Sequence, residues 1–224
     1  MKNLMRLLVA VIAITLATES FAQNFGIKAG LNLSNMIAKD DNDDYSEDLK
    51  LNPGFHFGPI IEFPINDMFS FETGLLASTK GYRVSEEETY MGQTAKFEGK
   101  INLIYADIPL TAKVTFPLGG AKIYGAFGPY VGVGITGKTK AEMTVNGETE
   151  TEEEAIEWGS DEEESDLKRL DYGLNIGLGL DINSFLIGAS YGLGLANVSP
   201  YTEDGYTTSH RVIGVSIGYK FGGK

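Results

Sequence analysis

There is no cysteine in the 224 residues of the chain. That absence excludes disulfides, a lipid-modified cysteine behind a leader, thiol catalysis and thiolate metal sites. Long apolar runs are missing too. The nearest approach, Leu7–Ala17, has eleven residues, against the ~20 that a membrane-crossing helix needs. Histidine occurs twice, at His56 and His210, and tryptophan once, at Trp158. Positive charge is scarce: 18 Lys and Arg stand against 31 Asp and Glu, a formal charge of −13. Such a surface repels nucleic-acid phosphates, so no nucleic acid is expected as a partner. It favours divalent cations or basic partners instead.

The first 22 residues read apart from the rest. Lys2 and Arg6 precede the apolar run, and Ser20-Phe21-Ala22 supplies small residues at the two positions that define cleavage. This is the pattern of a secretory signal peptide cut before Gln23. Without Lys2, Arg6 and Glu19, 16 basic and 30 acidic side chains remain, a charge of −14. Residues 1–22 are therefore expected to be a leader and 23–224 a single domain.

What is present in quantity is glycine and alternation. Eight period-two segments run near Phe25–Asn35, Gly54–Phe63, Met68–Tyr82, Ile101–Phe116, Ala121–Thr136, Arg169–Ile182, Phe185–Val198 and His210–Phe221. Three connections are tiny: Pro64–Asp67, Pro117–Gly120 and Asn183–Ser184. The other four are long and polar, and hold 24 of the 31 acids. Short turns alternating with long loops are what an outer-membrane β-barrel requires.

Alternation also separates a barrel from a soluble sandwich. Ile27, Ala29, Leu31 and Leu33 share one face of the first segment; Lys28, Asn32 and Ser34 share the other. In the sixth, Leu170, Tyr172, Leu174, Ile176, Leu178, Leu180 and Ile182 oppose Asp171, Gly173, Asn175, Gly177, Gly179 and Asp181. A solvent face of a sandwich would be rich in Lys, Glu and Thr, and glycine would weaken its strands. Inside a narrow barrel glycine makes room for a few long polar side chains. The expected fold is all-β: an eight-stranded antiparallel up-and-down transmembrane barrel, its apolar face toward lipid and its edges closed.

With the amino terminus on the periplasmic side, Lys28, Glu62, Glu72, Lys113, Asp181 and Lys220 fall in the lumen toward the periplasmic end. Asp107 shares the inward face of its strand. Charges in a low-dielectric lumen are costly unless paired, so these seven are the candidate charge network, either a structural plug or a proton or ion relay. Phe25, Phe63, Phe69, Phe71, Phe116, Phe185, Tyr219 and Phe221 take outward parity near the short turns, as an interfacial girdle. Phe55 and Tyr172 mark a weaker girdle opposite.

The opening strand Phe25-Gly26-Ile27-Lys28-Ala29-Gly30-Leu31-Asn32-Leu33-Ser34 resembles that of the small "porin family" barrels of Bacteroidota, which include PorT-like proteins. Tyr105-Ala106-Asp107-Ile108-Pro109-Leu110-Thr111-Ala112-Lys113 is similar to the family's Tyr-x-x-Ile-Pro-Leu segment, and Gly128-Pro129-Tyr130-Val131-Gly132 adds to the likeness. The resemblance covers essentially the whole mature chain. It implies an outer-membrane location and eight strands, and little about activity.

The long loops offer the remaining chemistry. Asp40, Asn42 and Asp44 open like a calcium loop, yet Tyr45 replaces its glycine and Leu51 its bidentate glutamate. A solvated loop with loose cation association is expected instead, and no metal site or cofactor is assigned. Trp158, in the acidic stretch Thr136–Lys168, either anchors a protein or glycan contact or packs one loop on another; packing is preferred. A Ser–His–acid hydrolase at the rim would draw on Ser209, His210 and Glu203 or Asp204. Adjacent strand residues face opposite ways, which separates Ser209 from His210. The glycines near Gly128–Gly134 and Gly188–Gly194 are followed by no Gly-Lys-Ser/Thr, so no nucleotide loop is read there. The expected role is non-enzymatic, structural or surface-interacting through the acidic loops, for a monomer in the outer membrane lipid. Small-solute transport and an accessory role in secretion are the alternatives.

Overall fold

The computed structural model describes residues 23–90 and 93–221. The expected leader lies outside the described residues. Among the described residues ten strands follow one another: β1 (Asn24–Lys39), β2 (Asn52–Pro64), β3 (Phe69–Gly74), β4 (Leu76–Tyr90), β5 (Gln93–Leu118), β6 (Ala121–Val145), β7 (Glu148–Ala155), β8 (Leu170–Ile182), β9 (Phe185–Gly194) and β10 (Thr207–Phe221). These strands all pair antiparallel. The first strand closes on the last, from Phe25↔Phe221 to Lys39↔Thr207, so the wall has no free edge.

The wall is an eight-membered ring because β3 and β4 occupy one position in it and β7 stands above it. Their register on β2 is continuous, Ile60↔Gly74 below and Phe57↔Ala77 above. The break at Leu75 lies opposite Pro59, which has no N–H to give to the ladder. The Leu75 N–H still donates to the Pro59 carbonyl at 3.1 Å.

Burial alternates as the sequence pattern requires. Leu31, Ile217 and Leu178 are 70%, 66% and 65% exposed, values that only a lipid solvent makes tolerable for a continuous apolar belt. At the short-turn end the girdle is built from edge-on pairs, with Phe185 and Tyr219 centroids 5.1 Å apart and Tyr219 and Phe221 5.2 Å apart.

Strands reach beyond the expected bounds at the long-loop end. β5 starts at Gln93 rather than Ile101, and β6 runs to Val145 rather than Thr136. Asn146 and Gly147, both with positive φ, turn the chain into β7. Much of what composition marks as solvated loop is therefore a projecting β6–β7 hairpin, paired from Lys138↔Ala155 to Val145↔Glu148. The register between β5 and β6 slips once, from Ile104↔Thr136 to Tyr105↔Gly134, leaving Ile135 as the extra residue of a bulge. Below it even-numbered residues of β6 face inward; above it odd-numbered ones do. The seventh expected segment ends early, at Gly194, and residues 195–206 fold over the mouth.

The apolar core sits at that mouth. Met36, Leu103, Tyr105, Ile156, Leu167, Ala196 and Val198 are buried together, with Leu49, Tyr82, Ile101 and Trp158 packed against them.

Candidate functional site

Six of the seven charges expected in the lumen meet in one chain of contacts at the short-turn end. Lys28 pairs with Glu72. Lys113 bridges Glu72 and Glu62, at 3.0 and 2.7 Å. Lys220 pairs with Asp181 and stands 3.9 Å from Glu62. Three cations and three carboxylates thus alternate around the lumen. The register puts Glu62 opposite Glu72 and Ser70 opposite Lys113, so neighbouring strands deliver their charges at one depth. The Lys113 ammonium also lies 4.6 Å from the centre of the Tyr124 ring, a favourable cation–π arrangement. Room for Tyr124 comes from glycine: a Cβ at Gly179 or Gly188 would collide with its phenol.

Asp107 does not join them. It belongs to a second cluster nearer the long loops, where Lys80 Nζ donates to Asp107 at 2.9 Å and to Asp171 at 2.8 Å. The Tyr130 hydroxyl donates to the same Asp171 oxygen at 3.0 Å. Lys80 stands 4.6 and 4.5 Å from the ring centres of Tyr105 and Tyr130. Lys80 and Asp171 show inward parity in the sequence, but nothing there couples residues 91 positions apart. Two carboxylates sharing one lysine is an arrangement of the closed ring, not of any one strand.

Between the clusters lies a lumenal cavity of about 140 Å³. His56, Asn32 and Ser78 line it beside both sets of charges. His56 Nδ1 donates to Asn32 Oδ1 at 2.7 Å, and Asn32 Nδ2 donates to Ser78 Oγ at 3.1 Å.

Above the second cluster the lumen is closed by aromatic packing. Tyr105 meets Trp158 edge-on at 5.7 Å and His210 at 5.2 Å. The Tyr105 hydroxyl and His210 Nε2 are hydrogen-bonded at 3.1 Å. Trp158 is brought down by a short bridge to Leu167 and lies on the backbone of Gly134, where a Cβ would strike its six-membered ring. Arg169 covers the indole from 5.6 Å and donates to the Gly134 carbonyl at 2.9 Å. The packing role expected for Trp158 is met both by loop residues, Ala196 and Val198 among them, and by the barrel mouth at Tyr105 and Leu103.

The other candidates are dispersed. His210 is fully buried and inward, whereas Ser209 is half-buried on the opposite parity. Glu203 and Asp204 lie in an exposed turn. Asp40 Oδ1 accepts the backbone N–H groups of Asn42 and Asp43, each at 2.7 Å, and its Oδ2 accepts the Tyr45 hydroxyl at 2.8 Å. The carboxylate is turned inward on its own loop, and Asp44 caps the Ser46 N–H at 2.8 Å. Among the described residues no group of three or more His, Cys, Asp or Glu is placed to hold a metal ion.

The chain is similar to several solved barrels. Ail, the attachment invasion locus protein of Yersinia pestis, is 19% identical, with 88% of this chain and 98% of that one covered at a TM-score of 0.34. Neisserial surface protein A is 12% identical, with 88% and 97% covered at 0.35. The N-terminal barrel domain of Pseudomonas aeruginosa OprF is 12% identical, with 88% and 97% covered at 0.32. A search of curated proteins finds no match. The profile of the outer membrane protein beta-barrel domain matches residues 21–199. That match spans most of the chain and agrees with the closed ring and its apolar belt. The protein resides in the outer membrane and belongs to the outer membrane protein beta-barrel domain family.

Proposed function

We propose that this protein is a non-enzymatic surface barrel. In this reading it is closed to solutes and presents an acidic hairpin to basic partners outside the cell. The observation that carries the proposal is the contrast across the mouth. Below it, Trp158, Tyr105, Leu167 and Val198 pack into a seal. Above it, every residue of β7 is exposed, including Glu148, Glu150, Glu152, Glu153 and Glu154. A sheet extension in which β4, β5 and β6 back β7, with five carboxylates on that outermost strand, is suited to steer and hold a cationic protein surface. The small cavity and the two charge clusters beneath the seal serve stability on this view, since eight strands leave an interior filled by side chains. Ser209 and the buried His210 face opposite sides of β10, which favours a non-enzymatic role. The likeness to PorT-like porin-family barrels rests on the first strand and on Tyr105–Lys113, and it belongs to the same reading.

In-cell photo-crosslinking tests it. A crosslinking side chain at position 150 or 152 is expected to trap a discrete protein adduct, while one at position 122, beside a short turn, traps none. Equal labelling at both ends of the barrel would refute a role for the hairpin. Planar-bilayer recording addresses transport: a reproducible open state would replace the proposal with a conducting role.

A further inference from the structure

Three positive side chains stand in one row across neighbouring strands. Arg83 faces Lys100 in the β4–β5 pair, and Lys100 faces Lys140 in the β5–β6 pair. Lys50 extends the row, because its backbone bridges that of Arg83. Like charges directly opposite on a sheet oppose pairing. In a chain with 31 acids and 18 bases, four adjacent cations run against the composition.

The row lies on the outer wall. Leu103 and Tyr105 point inward and are fully buried, and Tyr82 and Ile101 pack on the same interior cluster. Arg83 and Lys100 therefore take the opposite, outward parity. Ile108 and Ile135, 45% and 57% exposed, belong to the upper part of the apolar belt, with Ile104 above Ile108. Lys100 is four residues beyond Ile104. At ~3.3 Å per residue and a tilt of ~40° this is roughly 10 Å above Ile104, a height from which long cationic side chains can bend back toward headgroups at the top of the belt.

The cations surround a groove of about 490 Å³ that Glu98 and Glu142 also line. Lys140 pairs with Glu142 at 2.6 Å, and Glu98 is held by Lys96 at 3.0 Å. Lys50 Nζ donates to the Ser85 carbonyl at 2.8 Å, and Arg83 Nε to the Leu51 carbonyl at 3.0 Å. Those neutral acceptors fix the side chains without cancelling their charge. Among the described residues Lys100 makes no ion pair.

We infer that this groove binds a phosphate of the phosphorylated glycolipid in the surrounding outer leaflet, anchoring the barrel at a fixed depth. Headgroup phosphates lie beside this wall, and an anion there relieves the repulsion along the row. The inference is independent of the acidic hairpin and its partners.

The test is native mass spectrometry of the refolded mature barrel with diphosphorylated lipid A, its dephosphorylated form, and inorganic phosphate as competitor. The phosphorylated lipid is expected to be retained and the dephosphorylated one lost. R83Q/K100Q should weaken retention about tenfold or more, while K39Q/K122Q, with the same charge change elsewhere, should alter it less than twofold. E98Q/E142Q, which removes the competing acids, should strengthen it. Equal retention of both lipids, or no loss in R83Q/K100Q, would overturn the inference. Displacement by millimolar inorganic phosphate would mark a soluble-anion site and overturn the lipid assignment.

Discussion

Lys80 and Asp171 meet 2.8 Å apart inside the lumen, with side chains 2% and 0% exposed. They come from β4 and β8, which are not neighbours in the wall. Their pairing therefore depends on closure. Lys80→Met would leave Asp171 and Asp107 together without a counter-ion, and removing one partner of a buried pair costs about 3–5 kcal/mol. Urea unfolding of the refolded barrel in lipid should show a loss of that size. Adding Asp107→Asn and Asp171→Asn to Lys80→Met should recover much of it, because no buried charge then stands alone. A single variant within about 1 kcal/mol of wild type, the scale of an exposed pair, would mean that water reaches the cluster freely.

The six-membered network below makes a ranking possible. Lys113 holds two carboxylates at 2.7 and 3.0 Å, whereas Lys220 holds Asp181 and stands 3.9 Å from Glu62. Lys113→Met removes two close contacts, leaving Glu72 to Lys28 and Glu62 to its 3.9 Å approach to Lys220, while Lys220→Met removes one close contact and leaves only Asp181 without a cation among the described residues. The first should cost several kcal/mol and the second roughly half as much. The same unfolding series measures both, and a reversed order would place the electrostatic centre of the network at Lys220.

How much of this was legible in the sequence follows from the physics of each part. The wall was readable because lipid and lumen impose opposite chemistry on alternate residues; Leu170–Ile182 states it in thirteen residues. The depth of Lys28, Glu62, Glu72, Lys113, Asp181 and Lys220 was readable because strand direction and turn length fix height. The inward face of Asp107 was readable in the same way, but not its partner Lys80, because depth within a strand does not say which other strand lies across the lumen. The Lys80 cluster depends on that missing distance. The seal was hidden for another reason: Glu152–Glu154 and Asp161–Glu164 dominate the composition of a segment whose fold is set by three scattered apolar residues, Ile156, Trp158 and Leu167. The bulge at Ile135 reverses the parity of β6, so alternation alone misassigns the faces of everything above it.

The seal itself can be opened at one atom. Trp158 rests on Gly134, and a methyl group there would occupy the position of its ring. Gly134→Ala should lift the indole from Tyr105 while leaving the wall intact. Trp158 is the only tryptophan, so its emission reports directly: wild type should emit at short wavelength and resist acrylamide, and Gly134→Ala should shift to the red and quench more readily. Hydrogen exchange at residues 156–168 should rise in parallel. Unchanged emission would show that the loop accommodates the methyl group and that contacts with Leu167 and Arg169 hold it.

The Asp40 loop gives a prediction in pH. The N–H groups of Asn42 and Asp43, then the Tyr45 hydroxyl, hold the Asp40 carboxyl below its usual range. The hydrogen bond to Asp40 pushes Tyr45 up to about 12. A depressed carboxylate favours the ordered loop above its ordinary pKa of ~4 and loses that effect as pH falls. A raised phenol favours it below ~10 and loses that effect as pH rises through the folded value. The loop should accordingly be most ordered between those limits. NMR of ring-labelled tyrosine should find Tyr45 titrating near 12 in wild type and near its ordinary ~10 in Asp40→Asn. The amide of Asn42 should lose its protection in the same variant, since its acceptor at 2.7 Å no longer carries charge. A Tyr45 that titrates alike in both proteins would mean that its hydroxyl faces water and that Asp40 orders the loop through the backbone alone.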